Sequence, residues 1–153
     1  MELSPQGLDL LSQREGGFRL TPYQDSQGIW TDGLGNTHGV IPNGPPITME
    51  KAQEDFARNS AWVLASLALV RVDLEQHQSD ALFSFIFNIG SGAWASSTML
   101  RLLNGGSSPE EVSAQFDRWH TPPEITTRRN AEKFQFLGTV FAARCDAQGN
   151  PIA

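Results

Sequence analysis

Apolar residues recur at helical spacing over several stretches of the chain, and a long polar interruption separates the first stretch from the others. Ser4-Pro5 is a typical helix start, because a capping side chain precedes a proline at the first helical position. Leucines then form one apolar face, and Gly16-Gly17 ends the pattern just after Glu15. The pattern therefore predicts a first helix over residues 5–15.

Residues 16–47 do not show helical periodicity. Positions 18–40 alternate weakly between apolar and polar residues, and six glycines fall within residues 14–39. Residues 41–47 are rich in proline and are expected to form a loop. This stretch predicts a small β lobe of two or three short antiparallel strands.

Helical spacing returns after Thr48, which is expected to cap a helix running from residue 49 to about residue 70. At about 1.5 Å per residue such a helix spans about 30 Å, which suits a strut between two lobes. Residues 79–90 are apolar nearly all round, as in a helix buried at the centre of a lobe.

Shorter helices are predicted over residues 97–103, from Ser108-Pro109 onward and over residues 123–137. The segment from residue 146 onward is expected to fray. The pattern predicts one α+β domain over residues 1–153. The β lobe covers about 16–47, the interlobe helix about 49–70, and the helical lobe about 71–140 with the first helix packed on it.

Composition narrows the functional classes. The net charge of −6, from 17 acidic and 11 basic residues, argues against nucleic acid as the main partner, since phosphate neutralisation needs a basic face. The single cysteine, Cys145, excludes an intrachain disulfide and fits a reducing compartment. No long apolar run and no signal-peptide pattern is present, so we expect synthesis in the cytoplasm without a signal peptide.

Three residues of the polar stretch are candidates for chemistry. Glu15 has apolar neighbours in sequence, which favour retention of a proton, although composition alone favours a solvated glutamate paired with Arg14 or Arg19. Taken singly, Asp25 is better explained as a turn-capping aspartate and Thr31 as a simple strand residue. Taken together, two carboxylates facing each other can cleave a glycosidic bond, and a hydroxyl near the second can orient water.

Other kinds of site receive little support. The three histidines lie far apart without metal-ligand spacing, so no metal and no cofactor is expected. Gly33-Leu34-Gly35 lacks the third glycine of a dinucleotide fingerprint, and Cys145 lacks the setting of a nucleophile. The four tryptophans are expected mainly in the core, although Trp30 in the hairpin could stack on a sugar.

The spacing of residues between 15 and 35 resembles that of the phage-type, T4-like lysozymes, the endolysins of glycoside hydrolase family 24. The matching pattern is Glu15-Gly16, then Tyr23-x-Asp25-x-x-Gly28-x-x-Thr31-x-Gly33-x-Gly35. Further segments agree in order, namely Ile47-Thr48-x-Glu50-x-Ala52, Gln78-x-Asp80-Ala81-Leu82, Phe87-Asn88-x-Gly90, Ser97-Thr98-x-Leu100, Phe116-x-x-Trp119 and Arg128-Arg129-x-x-Glu132. The resemblance covers about residues 4–138.

This resemblance implies that Glu15 is the general acid and that Asp25 is the second carboxylate, stabilising positive charge or activating a water molecule held by Thr31. The substrate would be the β-1,4 bond between N-acetylmuramic acid and N-acetylglucosamine in peptidoglycan, usually cleaved with inversion. An inverting enzyme needs its two carboxyl groups about 6.5–9.5 Å apart. By the same resemblance, the residues that bind substrate in a cleft between the lobes are Gly35, Asn36, Phe87 and Asn88.

Three features depart from the family pattern. Nine residues separate Glu15 from Asp25, one more than usual, and Gly16-Gly17 is the place where a bulge could absorb the extra residue. Asn36 stands where many members carry histidine. The negative net charge is unusual for an enzyme that acts on an anionic cell wall, and slower electrostatic capture is expected.

The predicted protein is a monomeric phage or prophage endolysin that needs a holin to reach the cell wall. Two alternatives stay open. A catalytically dormant wall-binding or virion structural relative would retain the fold alone. A lytic transglycosylase would need only one catalytic acid and would release anhydro-muramic ends, a reading that the presence of Asp25 and Thr31 disfavours.

Overall fold

The computed structural model describes all 153 residues, which form α-helices, two 3₁₀ segments and one two-stranded antiparallel sheet. The helices are α1 Pro5–Arg14, α2 Met49–Asn59, α3 Ala61–Leu67, α4 Gln76–Ile89, α5 Ser91–Ala95, α6 Thr98–Asn104, α7 Pro109–Ser113 and α8 Thr126–Leu137. The 3₁₀ segments are Ala114–Arg118 and Pro123–Ile125. No helix combines the length and apolar character that crossing a membrane requires.

The chain divides into two compact units. One unit consists of Met1–Arg14 and Trp62–Ala153, and the other of Glu15–Ala61. We call them the helical unit and the hairpin unit. The hairpin unit extends beyond the predicted β lobe of residues 16–47, because α2 packs on β2.

The hairpin unit is built on strands β1 (Arg19–Gln24) and β2 (Trp30–Gly33), which confirms a small antiparallel sheet. A separate bridge between Asp32 and Asn36 extends the pairing beyond β2. Helix α2 lies close to β2, since a Cβ built on Gly33 would lie 3.4 Å from the Cβ of Ala52. Phe18 and Phe56 complete this small core in an edge-to-face contact with centroids 6.4 Å apart.

The helix predicted over residues 49 to about 70 is divided at Ser60 into α2 and α3. The hydroxyl of Ser60 donates to the Phe56 carbonyl at 2.7 Å, and the Ser60 N–H donates to the same oxygen at 2.9 Å. A serine that bonds back to the preceding turn competes with the regular ladder and commonly bends a helix. Apolar periodicity continues across the break, so the pattern alone could not reveal it.

The helical unit is centred on α4, and its predicted burial is confirmed: residues 79–86 are all buried. The helix starts three residues earlier than the apolar pattern, because the Glu75 N–H donates to the Gln78 side chain at 2.9 Å and stabilises the first turn. Phe85 lies at the centre of an aromatic cluster, with centroids 5.1 Å from Phe116 and 5.6 Å from Trp119. Helix α8 packs along α4.

The end of the chain is ordered, in contrast to the fraying expected from its composition. Cys145 is fully buried and forms a β-bridge with Pro151. Asp146 closes the intervening turn, because its Oδ1 accepts from the N–H groups of Gln148 and Asn150, both at 2.9 Å. The turn is tied to α8, because the Asn130 side chain donates to the Asp146 carbonyl at 3.0 Å and the Cys145 N–H donates to the Thr127 carbonyl at 3.3 Å.

A buried ionic cluster joins α4 to α8. Glu132 is fully buried and contacts Arg129 at 2.6 Å and Arg128 at 3.4 Å, while the Ser84 hydroxyl donates to Glu132 at 2.5 Å. Arg14 donates to the carbonyls of residues 142 and 143, and desolvation by burial lowers the pKa of Arg14 to about 10. Apolar periodicity carried no sign of this cluster.

The start of α1 is fixed against α4 by Asp80, whose carboxylate accepts from the Ser4 N–H at 3.0 Å and from the Ser4 hydroxyl. A Cβ built on Gly7 would lie 2.5 Å from the Asp80 Cγ. Gly7→Ala is therefore expected to lower the free energy of unfolding by roughly 1–2 kcal/mol, because the clash outweighs the gain in helix propensity.

Gly92→Ala is the matched control, because Gly92 lies in α5 and a Cβ there meets nothing within 4 Å. This variant should gain roughly 0.5–1 kcal/mol from helix propensity. Urea unfolding of both variants measures the difference. Equal effects would show that the Asp80 contact does not constrain Gly7.

Candidate active site

Asp25 closes the turn of the β1–β2 hairpin. Its Oδ1 accepts hydrogen bonds from the N–H of Gln27 at 2.8 Å and of Ile29 at 2.9 Å, and its own N–H donates to the Ile29 carbonyl at 2.9 Å. Gly28 supplies the positive φ of +79° that the turn requires. The turn-capping interpretation of Asp25 is thus correct for one carboxylate oxygen, while Oδ2 accepts no hydrogen bond from the protein.

Thr31 lies in β2, opposite Tyr23 of β1. Its hydroxyl donates to the Ile29 carbonyl at 2.9 Å, so its oxygen retains lone pairs that can accept a hydrogen bond. The residue is only 3% exposed. The hydroxyl is therefore held in one orientation by the same turn that positions Asp25.

The register places Asp25 and Thr31 on one face of the hairpin. Directly paired residues share a face, and residues two apart along a strand return to the same face. Thr31 pairs with Tyr23. Asp25 lies two residues after Tyr23, and its N–H donates to the carbonyl of Ile29, two residues before Thr31. Asp25 and Thr31 are therefore diagonal neighbours, with Cα atoms about 7–8 Å apart in a regular ladder.

Glu15 is the first residue of the hairpin unit and directly follows the end of α1. Its side chain is exposed, so the hairpin unit does not provide the apolar enclosure expected from the sequence. Gly16 and Gly17 follow with φ of +93° and +88°, and a Cβ at either position would meet nothing within 4 Å. Two successive residues in this region of φ turn the backbone sharply between Glu15 and β1.

Asn36, expected from the resemblance to bind substrate, lies in a hydrogen-bond network within the hairpin unit. It is 1% exposed, and its amide nitrogen donates to the Asp32 carboxylate at 2.8 Å and to the His38 carbonyl at 3.1 Å. Its amide oxygen accepts from the side chain of Asn59 at 2.9 Å and from the His38 N–H at 3.3 Å. All four hydrogen-bonding positions of the amide are therefore filled by protein groups.

The other predicted binding residues are differently placed. Gly35 is exposed with φ of +77°, so its backbone is open to a ligand. In the helical unit, Asn88 is exposed near the end of α4, and Phe87 is half-buried. Trp62 stacks on Phe87 with a centroid distance of 6.3 Å and an interplanar angle of 18°.

Trp62 was expected in the core, but its side chain is 39% exposed. Of the other three tryptophans, only Trp94 is fully buried. Val63 and Leu67 continue the apolar stripe of the helix, and Trp62 lies outside that stripe. This position in the pattern indicates a surface aromatic residue. A stacked and partly exposed aromatic pair can bind the face of a sugar ring.

Two further acidic side chains of the hairpin unit, Asp32 and Asp55, have structural partners. Asp55 on α2 accepts from Lys51 at 2.6 Å and from Arg58 at 2.8 Å, and the pKa of Asp55 is lowered mainly by the hydrogen bond from Lys51. No group of three or more His, Cys, Asp or Glu side chains lies together in an arrangement that could hold a metal ion. The remaining two acidic residues, Glu50 and Glu54, are exposed on α2.

The fold is similar to solved structures of a lysozyme and of a muramidase domain. A mutant lysozyme of phage P22 matches with a TM-score of 0.80 at 39% identity, covering 90% of this chain and 99% of that chain. The muramidase domain of SpmX from Asticaccaulis excentricus matches with a TM-score of 0.72 at 32% identity, covering 89% and 97%. The fold therefore defines a lysozyme-like protein.

Sequence comparison specifies the family. The phage lysozyme model matches residues 13–132. The endolysin of Salmonella phage P22 is 41% identical over 146 residues, covering 90% of this chain and 99% of the relative. The chain belongs to the phage lysozyme family, and it is a muramidase, a glycoside hydrolase that acts on the peptidoglycan of the cell wall.

Proposed function

We propose that the protein hydrolyses the β-1,4 bond between N-acetylmuramic acid and N-acetylglucosamine, with Glu15 as general acid and Asp25 and Thr31 positioning the attacking water. The observation that carries the proposal is the placement of Asp25 and Thr31 on one face of a hairpin whose turn orients both side chains. Family membership supplies the reaction class.

Asp25 combines a structural and a chemical role in this mechanism. Oδ1 is held by two backbone N–H groups, which restricts rotation of the carboxylate, and Oδ2 has no protein donor. A carboxylate oriented in this way can accept a proton from water or stabilise positive charge that develops on the sugar.

Thr31 accepts a hydrogen bond from the same water molecule, because its own hydroxyl proton is donated to the Ile29 carbonyl.

Glu15 protonates the glycosidic oxygen. Its exposed position after α1 gives a polymeric substrate access to the carboxyl group. The glycine pair absorbs the extra residue before β1, since both glycines adopt a φ that other residues rarely take. The inverting reaction requires about 6.5–9.5 Å between the two carboxyl groups, and we expect that separation in the substrate complex.

Substrate binding involves Gly35, Phe87 and Asn88, and we add Trp62 to this set. The Trp62–Phe87 stack presents an aromatic surface to a sugar ring, and the Asn88 amide provides hydrogen bonds to acetamido or hydroxyl groups. Gly35 allows a close approach of the glycan to the hairpin backbone. Asn36 supports this loop from within and does not itself bind substrate.

The protein acts as a monomer that is made in the cytoplasm and reaches the wall through a holin. This part of the proposal rests on the sequence and on the endolysins among its relatives. Expression in a bacterial host with and without a holin tests it. Lysis that needs the holin supports this route, and equal lysis without a holin refutes it.

Analysis of the products distinguishes the proposed hydrolysis from its rivals. Purified peptidoglycan is digested with the wild-type protein, and the new ends are identified by mass spectrometry, with the anomeric configuration followed by NMR. Reducing muramic ends formed with inversion support the proposal. Anhydro-muramic ends would identify a lytic transglycosylase, and wall binding without release of fragments would identify a dormant relative.

Asp25→Asn separates the two roles of Asp25. The amide oxygen can accept the same two backbone hydrogen bonds, so the melting temperature should stay close to that of the wild type. Activity should fall by about 10²–10³-fold, because the amide can neither accept the proton nor stabilise positive charge. Asp25→Ala should lose the activity and also about 0.5–1.5 kcal/mol of stability from the turn. Full activity of Asp25→Asn would show that Asp25 caps the turn and takes no part in catalysis.

A further inference from the structure

A second site is suggested by a polar groove of about 540 Å³ in the helical unit. Six polar residues line it, from the segment after α3, the segment between α5 and α6, and α6 itself. They are Arg71, Ser96, Ser97, Thr98, Arg101 and Asn104. No aspartate or glutamate lines it. Its volume lies within the range of about 300–1,000 Å³ typical of small-molecule sites.

The two arginines of this groove differ from every other basic residue in the protein. The chain has 11 lysines and arginines, and the side chains of nine have a hydrogen-bond, ionic or aromatic partner: Arg14, Arg19, Lys51, Arg58, Arg118, Arg128, Arg129, Lys133 and Arg144. The guanidinium groups of Arg71 and Arg101 have none. Both are exposed, and both line the same groove.

The walls of the groove are fixed before any ligand binds. The Asn104 side chain accepts from the Arg71 N–H at 2.7 Å and donates to the Leu69 carbonyl at 2.9 Å, which ties the segment after α3 to the end of α6. Ser97 is 9% exposed and caps α6 by accepting from the Leu100 N–H at 3.1 Å. The backbone that carries the two arginines is thereby held in place, which reduces the entropic cost of binding.

We propose that this groove binds the carboxylates of the peptidoglycan stem peptide, an inference that rests on the proposed function. Guanidinium groups bind carboxylates through charge-assisted, often bidentate hydrogen bonds, and two such groups without a neighbouring acid favour an anion. In the proposed function the wall polymer is the substrate, and its stem peptides carry free carboxylates at regular intervals.

The position of the groove along the chain suits this assignment. Ala95 at its edge follows Asn88 by seven residues, five of which form α5, so the groove lies within about 25 Å of Asn88. A stem tetrapeptide attached to a glycan at Asn88 spans about 14 Å when extended, so the assignment requires the near edge of the groove to lie within that distance of the glycan. A local cationic groove also explains how a protein with a net charge of −6 can hold an anionic polymer.

The test compares two substrates and two double variants. The substrates are intact peptidoglycan and glycan strands from which an amidase has removed the stem peptides. The test variant is Arg71→Gln/Arg101→Gln, and the control is Arg118→Gln/Arg144→Gln, which removes the same charge from exposed positions outside the groove. The test variant should raise KM for intact peptidoglycan about three- to tenfold with kcat unchanged, as expected for two exposed ionic contacts.

On stripped glycan strands the test variant should match the wild type, and the control should match it on both substrates. An equal rise in KM on both substrates, or none on either, overturns the proposal.

A binding experiment tests the groove independently of the proposed hydrolysis. Isotope-labelled protein is titrated with free stem tetrapeptide and, separately, with inorganic phosphate, while the amide resonances of residues 95–105 are followed by NMR. Saturable shifts with the peptide that disappear in Arg71→Gln/Arg101→Gln support the groove even if the wild type cleaves nothing. No shift with peptide, or tighter binding of phosphate than of peptide, overturns the assignment to stem-peptide carboxylates.

Discussion

Glu15→Gln is expected to reduce the rate of peptidoglycan hydrolysis by about 10²–10⁴-fold, the usual contribution of a general acid. Glutamine keeps the size and polarity of the side chain but cannot release a proton to the glycosidic oxygen. The effect should appear in kcat, because the proton moves in the transition state, while KM changes little. Turnover of purified peptidoglycan by folded protein measures both parameters.

The matched control for this experiment is Glu54→Gln. Glu54 belongs to the same unit and is exposed on α2, so the variant carries the same change of net charge. It should retain wild-type activity. Circular dichroism of both variants confirms that the fold is intact. If folded Glu15→Gln stays within about tenfold of the wild-type rate, Glu15 is not the general acid, and the acid must be sought elsewhere.

The second large effect concerns stability. Glu132→Gln is expected to lower the free energy of unfolding by about 3–5 kcal/mol, because it removes the carboxylate that compensates two buried arginines. Arg129 and Glu132 are both fully buried, and their contact of 2.6 Å lies beneath the aromatic cluster of Phe85. For a domain of this size the melting temperature should fall by about 2–4 °C per kcal/mol.

Glu124→Gln provides the comparison, since Glu124 is exposed in the 3₁₀ segment before α8 and should tolerate the change. Thermal unfolding of both variants measures the difference. A further variant, Arg129→Met/Glu132→Met, should be more stable than Glu132→Gln, because it removes a buried charge together with its partner. A loss below about 1 kcal/mol for Glu132→Gln would show that the cluster is solvated or rearranges without cost.

Predictions from local patterns succeeded where short-range chemistry decides the conformation. The Ser4-Pro5 start and the Thr48 cap lie at the N-termini of helices in the structure. The polar stretch forms the expected hairpin, because glycine at a position of positive φ and an aspartate that bonds the next residues favour a tight turn wherever they occur.

Predictions that depended on neighbours distant in sequence were less accurate. Ser60 interrupts a helix whose apolar periodicity continues unbroken, and Trp62 lies partly exposed although most tryptophans are buried. Asn36 matched a position expected to bind substrate, yet the partners that fill its amide include Asn59, 23 residues away. Ser60 bonds to Phe56 one turn before it, whereas Trp62 and Asn36 contact Phe87 and Asn59, which are distant in sequence. The apolar pattern records none of these contacts.

The sequence by itself determined the class of fold, the central buried helix and the acid–aspartate–threonine spacing that led to the phage lysozyme family. These features follow from periodicity and from short-range backbone chemistry, which a single chain carries in its order of residues. Only the tertiary structure decided that Asp25 and Thr31 share a face, that Asn36 is a scaffold residue, and that Arg71 and Arg101 meet in one groove. Strand register and the convergence of distant segments depend on packing of the whole chain, and no local pattern encodes them.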